Sequence, residues 1–169
     1  YPLLPVFLTS VLGASFAFVG LIEGIAEATA SILKTFSGWL SDRINVRKPI
    51  VVSGYGLSSI IKPLIAFTTA PWQVLIIRFA DRFGKGIRTS PRDAMIADCS
   101  PVSQIGKSFG FHRAMDTMGA VIGPILAFLL LPLFANDFRK LFFSSAIPAL
   151  LSILILFFFI YEKRAPTSQ

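Results

Sequence analysis

The sequence has few of the residues from which soluble enzymes build their sites. Its 169 residues include one cysteine, Cys99, and one histidine, His112. A single cysteine excludes an internal disulfide and any metal site built from several cysteines. The sequence also lacks a Gly-rich phosphate loop and a nucleophile–base set. We therefore expect neither an enzyme nor a resident cofactor or metal.

Charge is scarce as well, whereas apolar residues are abundant. Charged residues make up 15% of the chain and hydrophobic residues 54%, against about 25% charged residues in a typical soluble domain. This composition predicts an all-α, polytopic bundle of transmembrane helices in a lipid bilayer. The net charge of +7 does not indicate nucleic-acid binding, because basic residues beside apolar spans normally face lipid headgroups and cytoplasmic loops.

The apolar stretches predict where the chain crosses the bilayer. A hydrocarbon core of ~30 Å takes about 20 helical residues. We expect residues 1–12 to be the end of a first span whose beginning precedes the sequence, because they lack the basic start and cleavage site of a signal peptide. The complete spans that we predict are 16–40, 49–67, 72–98, 109–133 and 141–161.

The distribution of lysine and arginine predicts the orientation. Loops 41–48 and 99–107 and the tail 162–169 hold six basic residues, namely Arg43, Arg47, Lys48, Lys107, Lys163 and Arg164. The opposite side has three, Arg139, Lys140 and the nearby Lys62. Because cytoplasmic loops carry the excess of positive charge, we expect the first set to lie in the cytoplasm. The membrane would then be the bacterial inner (cytoplasmic) membrane.

The stretch 72–98 is the most unusual of the predicted spans. Charged residues recur in it at steps of three and four, at Arg78, Asp81, Arg82, Lys85, Arg88 and Arg92. This spacing places them in one band along a helix. Each charge in the membrane costs ~2.5–3.5 kcal/mol on insertion scales, so we expect the band to be sheltered by neighbouring spans and to face an aqueous cavity. Arg88, Arg92 and the adjacent Asp93 are expected to lie nearer the cytoplasm, where gating or solvation is the expected role.

Acidic and titratable residues in other spans are candidates for the same cavity. Glu23 and Glu27 are one helical turn apart and would share a face of the second span. They could neutralise the basic helix or carry a proton, since buried acids are easily protonated unless cations balance them. His112 and Asp116 are also one turn apart, a spacing that favours a proton relay, although a lone histidine can equally be a satisfied interior residue.

The loop between the second and third spans resembles a known family motif. Gly38, Asp42, Arg43, Arg47 and Lys48 match the G-x-x-x-D-R-x-G-R-R/K-R/K motif of the major facilitator superfamily, with Asn45 and Val46 departing from it. The resemblance implies a cytoplasmic gate. It extends to Arg78, with Asp81 and Arg82 in place of the family's Gln and Gly, and to Gly119, Gly123 and Pro124, which resemble the fifth-span motif of antiporters. Here glycines would allow close helix contact and proline would bend the span.

The resemblance implies the amino-terminal six-helix half of a secondary transporter, covering the end of the first span through the sixth. Such a protein works by alternating access together with its carboxy-terminal half. The expected function is proton-coupled efflux (antiport) of small organic compounds, with a proton or another coupling ion. Two alternatives remain open, namely transport of an organic anion by the cationic fourth span and a non-transporting scaffold or receptor.

Overall fold

The computed structural model describes residues 3–44 and 46–159, and every regular element in this part of the chain is helical. The α-helices are α1 (Leu4–Ser10), α2 (Phe16–Ile44), α3 (Lys48–Ile61), α4 (Pro71–Cys99), α5 (Ile105–Leu133), α6 (Phe138–Ser144) and α7 (Ala146–Phe159). Two 3-10 segments, Lys62–Phe67 and Val102–Gln104, precede α4 and α5. The all-α prediction is confirmed. Asn45, the end of the predicted last span and the tail 162–169 lie outside the described residues.

In the described part of the chain, four helical stretches are long and apolar enough to cross a membrane. They are Phe16–Ile44, Lys48–Phe67, Val102–Leu133 and Phe138–Phe159. The remaining predicted span, 72–98, corresponds to α4, whose 29 residues are long enough but carry the band of charges. Its place in the bundle therefore depends on neighbouring helices that cover those charges.

Several helix ends differ from the predicted spans for identifiable reasons. The third span turns from α-helix to 3-10 helix at Lys62, beside Pro63, which has no N–H to donate within a helix. The last span is interrupted at Ser145, where Pro148 cannot donate to the carbonyl of Ser144. In contrast, α2 continues to Ile44, so Asp42 lies in a helical turn and does not end the span.

Helix α4 packs between α2 and α3, and glycines allow the close approach. A Cβ on Gly84 would lie 2.8 Å from the carbonyl oxygen of Gly54 in α3. A Cβ on Gly86 would lie 2.9 Å from the carbonyl oxygen of Ala30 in α2. Both distances are shorter than normal carbon–oxygen contacts, so only glycine fits these crossings. They bring the charged side chains of α4 against both neighbours.

The two ends of the chain contribute differently to the bundle. Leu4 and Phe7 of α1 are fully buried and pack with Val74 of α4 and Phe142 of α6 in the main apolar cluster. By contrast, none of the residues Ile105–Leu133 is buried against the described part of the chain. Helix α5 therefore presents most of its surface outward.

Candidate functional site

Arg78 of α4 and Glu23 of α2 form the closest ion pair between these two helices. The Nε atom of Arg78 donates to Oε1 of Glu23 at 2.9 Å, and its Nη2 atom lies 2.6 Å from Oε1 and 2.5 Å from Oε2. The Arg78 side chain is 5% exposed and that of Glu23 is 38% exposed. This fork geometry is the strong form of a charge-assisted hydrogen bond, and it covers the arginine within the bundle.

Arg82 and Glu27 form a second, looser ion pair one helical turn further along. Nη1 of Arg82 lies 3.3 Å from Oε2 of Glu27, and Nη2 of Arg82 lies 3.8 Å from Oε2 of Glu23. The Glu27 side chain is 60% exposed. Pairing between the acids and the basic helix, one of the two roles considered from the sequence, is therefore present. The role of these residues in transport stays a prediction.

Asp81 lies one turn along α4 from Arg78, and Ser58 of α3 donates a hydrogen bond to its backbone carbonyl at 3.3 Å. The Asp81 side chain is 7% exposed, and Oδ2 is 3.9 Å from Nη1 of Arg78. Its Oδ1 atom has no hydrogen-bond partner among the described residues. Lys62, in the 3-10 segment after α3, is close enough to interact electrostatically with Asp81. Sequence reasoning placed Lys62 among the outer basic residues and missed this position, although a lysine inside an apolar span was the available signal.

The second half of the band, from Lys85 to Arg92, lies near α3 and α5. Nη1 of Arg88 donates to the Gly54 carbonyl at 3.2 Å and to Ser58 Oγ at 2.6 Å, and its guanidinium stacks 4.2 Å from the Tyr55 ring centroid. Arg92 pairs with Asp93 at 2.9 Å. The Lys85 side chain interacts electrostatically with four charged groups, those of Arg82, Glu27, Arg88 and Asp116.

The two arginines that pair with α2 are sheltered within the described bundle, since the side chain of Arg78 is 5% exposed and that of Arg82 is 16% exposed. Arg78 and Arg82 contact acids of α2, whereas Arg88 contacts α3. Because α4 lies between two helices, it presents charged side chains to both, and the cavity role of these residues stays a prediction. In the ion pairs between α2 and α4, the acids Glu27 and Glu23 are more exposed than the arginines that they bind.

His112 and Asp116 do not form the predicted pair. His112 borders a cavity of about 380 Å³ together with Tyr55, Arg92 and Cys99. Asp116 lies 3.9 Å from Arg113, with both side chains mostly exposed. The two residues therefore have different surroundings, since His112 lies at the cavity that Arg92 of α4 also lines, whereas Asp116 lies near Lys85 of α4.

The residues of the gate motif hold the ends of α2, α3 and α4 together. Arg47 donates to Asp98 at the end of α4 and lies 3.4 Å from Asp42. A Cβ on Gly38 would lie 2.5 Å from Ser90 Oγ of α4, which explains the glycine. Nζ of Lys48 donates to the Phe157 carbonyl at 3.2 Å, and Arg43 stacks on Trp39 at 5.3 Å. Asp98 is the participant that sequence reasoning missed.

The antiporter-type motif lies on the open surface of α5. No atom of the described chain comes within 4 Å of a Cβ built on Gly119 or Gly123. The close helix contact expected at these glycines is therefore not made within residues 3–44 and 46–159. The helix continues through Pro124.

Comparisons with known proteins match this architecture. The family model described as Major Facilitator Superfamily matches residues 1–169. A protein of Methanocaldococcus jannaschii described as an uncharacterized MFS-type transporter is 37% identical over 99% of this chain and 42% of its own length. The multidrug resistance protein MdtG of Proteus mirabilis is 29% identical over 90% of this chain and 37% of its own length.

The multidrug resistance protein MdtH of Photorhabdus laumondii is 28% identical over 78% of this chain and 32% of its own length. The chain thus spans less than half the length of the curated relatives it matches. Three findings agree with one another. The family model matches the whole chain, the described helices include apolar ones of membrane length, and Arg47 of the gate motif binds Asp98 at the end of α4. The chain is part of an integral membrane protein and belongs to the major facilitator superfamily.

Proposed function

We propose that the full-length protein is a secondary active transporter that exports small organic compounds in exchange for protons. This chain would supply most of its amino-terminal half, working against a carboxy-terminal half by alternating access. It would lie in the bacterial inner (cytoplasmic) membrane, with loops 41–48 and 99–107 and the tail 162–169 in the cytoplasm.

The observation that carries the proposal is the unequal exposure of the acids that face the basic helix. Glu27 is 60% exposed and Glu23 is 38% exposed, whereas their partners Arg82 and Arg78 are covered. A proton from water can therefore reach the carboxylates while the cations stay inside. Protonation would weaken each pair and change the contact between α2 and α4. A ligand shifts a conformational equilibrium only if it binds the two conformations with different affinity. Proton-coupled transport therefore requires that protonation of these acids change the contact between α2 and α4.

The direction of transport is supported by the relatives. MdtG and MdtH, both described as multidrug resistance proteins, match 90% and 78% of this chain, respectively. Resistance proteins of this superfamily act by export, so we infer export here too. Gly119, Gly123 and Pro124, which resemble the antiporter motif, agree with exchange against protons.

Transport of an organic anion is the second candidate, and one observation favours it. The charges packed around α4 contain more cations than the acids that neutralise them. The cations are Lys62, Arg78, Arg82, Lys85, Arg88 and Arg92, and the acids are Glu23, Glu27, Asp81, Asp93 and Asp116. An anionic substrate could supply the missing negative charge. On this reading, neutralising Arg78 or Lys85 abolishes transport outright.

The decisive experiment compares Glu27→Gln with Glu27→Gln/Arg82→Gln in the full-length protein. Both are reconstituted in proteoliposomes that contain a pH-sensitive dye, and candidate organic solutes drive proton movement. If Glu27 carries a proton, both variants lose solute-driven proton flux. If Glu27 only neutralises Arg82, the double variant regains flux because the unpaired cation is gone.

Lys85→Met separates the two substrate classes in the same assay. Proton-coupled export of a neutral or cationic compound should survive this change, whereas transport of an anion should not. A scaffold or receptor makes a third prediction, because Asp42→Ala would then leave activity unchanged. Loss of transport in Lys85→Met, with full flux in Glu27→Gln, would contradict the proton-exchange proposal.

A further inference from the structure

Arg78 lies between two carboxylates that differ in distance and in exposure. On one side it binds Glu23 of α2 at 2.5 to 2.9 Å. On the other side Asp81, one turn along α4, is 3.9 Å away. The Glu23 side chain is 38% exposed and the Asp81 side chain 7% exposed. One guanidinium therefore has a near partner that water can reach and a further partner that is buried.

Asp81 has an unused capacity to accept hydrogen bonds. Its Oδ1 atom is buried and makes no hydrogen bond within the described part of the chain. A buried acceptor without a donor is unfavourable. The charged groups around the site are Glu23 and Glu27 on α2, Lys62 in the 3-10 segment, and Arg82 and Arg88 on α4. Arg78 is the cation that lies within ion-pair distance of both Glu23 and Asp81 in the described part of the chain.

We propose that Asp81 is the second docking position of the Arg78 guanidinium, which moves from Glu23 to Asp81 when Glu23 takes up a proton. The inference rests on the proposed proton-coupled function and names how the proton would act. Neutral Glu23 no longer balances the cation, while Asp81 is already at 3.9 Å. A charge-assisted hydrogen bond needs about 2.8 Å, so a movement of about 1 Å is enough.

The consequence is a release of α2 from α4 without an unpaired charge in the membrane. The proton stays on the Glu23 carboxyl group, and no other covalent bond changes. Arg78 remains neutralised in both positions, so neither position leaves the buried guanidinium uncompensated. Asp81 is thus a positioning residue, and it stands where the family motif has Gln.

Thermal stability of the purified full-length protein tests the two positions without a transport assay. In Glu23→Gln the Arg78 guanidinium can bind Asp81, and in Asp81→Asn it can remain bound to Glu23. We expect each single variant to lose at most a few °C in Tm. Glu23→Gln/Asp81→Asn leaves the guanidinium without either carboxylate, and we expect a loss of about 10 °C or more, well beyond the sum of the two. Adding Arg78→Gln to that double variant should restore most of the loss.

A matched control replaces an acid that does not lie near Arg78. Asp116 lies by Arg113 on the open surface of α5, so Glu23→Gln/Asp116→Asn should show additive losses. Additive losses in Glu23→Gln/Asp81→Asn would overturn the proposal. A double variant that does not fold is still informative, because failure of Arg78→Gln to rescue folding would also overturn it.

Transport gives an independent test that separates this inference from the proposed function. In Asp81→Asn a protonated Glu23 would leave Arg78 without either carboxylate, so protonation of Glu23 becomes harder. We expect the pH midpoint of transport to move about one unit toward acid, and Asp81→Glu to restore it. An unchanged pH midpoint of transport in Asp81→Asn would contradict the movement of Arg78 from Glu23 to Asp81. Absence of proton coupling in the unmodified protein would instead refute the proposed function. The measurements of Tm would then still test whether Arg78 can bind both Glu23 and Asp81.

Discussion

Two glycines of α3, only two residues apart, offer a sharp test of how the charged helix is held. A Cβ on Gly54 would lie 2.7 Å from Cβ of Arg88 and 2.8 Å from the carbonyl oxygen of Gly84. A Cβ on Gly56 would have no atom of the described chain within 4 Å. The substitutions Gly54→Ala and Gly56→Ala therefore add the same methyl group to the same helix in different surroundings.

The expected difference follows from these distances. Carbon atoms make their best contacts at about 3.5–4.0 Å, so α3 must move away from α4 by about 1 Å in Gly54→Ala. The obstructing atoms are backbone and Cβ atoms, which cannot rotate aside. Overpacking of this kind costs about 1–3 kcal/mol. The gain in helix propensity, about 1 kcal/mol, applies to both variants and cancels in the comparison.

Thermal unfolding of the purified full-length protein in detergent would measure the effect. The readout is the fraction of protein that stays monodisperse as the temperature rises. We expect Gly56→Ala to match or slightly exceed the parent protein in Tm and Gly54→Ala to melt several °C below Gly56→Ala. Equal melting temperatures for the two variants would refute the close crossing of α3 and α4. The buried positions of Asp81 and Arg88 would then lose their structural basis.

Two further predictions concern the cytoplasmic end. Arg47→Gln and Asp98→Asn each remove the same ion pair. We therefore expect each variant to reduce transport in proteoliposomes several-fold and the double variant to reduce it no further. Additive losses would show that the two residues act separately. Cys99 is exposed and is predicted to lie at the cytoplasmic surface, so in a protein without other cysteines a membrane-impermeant maleimide should label it in inside-out vesicles and not in intact cells. Labelling in intact cells would reverse the predicted orientation.

Much of the architecture could be predicted from local sequence features. Apolar stretches of membrane length indicated helices, because a chain in a bilayer must satisfy its backbone hydrogen bonds internally. The gate motif indicated where α2 and α3 meet. Helix ends were less predictable, since the breaks at Lys62 and Ser145 depend on how the chain accommodates Pro63 and Pro148. The charge pattern also indicated that acids of the second span would oppose the basic helix.

The sequence by itself determined that this protein is a bundle of membrane helices with a charged fourth span, because composition and periodicity are properties of the chain alone. Only the tertiary structure decided which partner each charge has. Arg78 binds Glu23 and Arg88 binds Ser58 because the glycine crossings place α4 between α2 and α3. Likewise Arg47 reaches Asp98, 51 positions away. Such pairings depend on distances across helices, and spacing along one helix does not contain them.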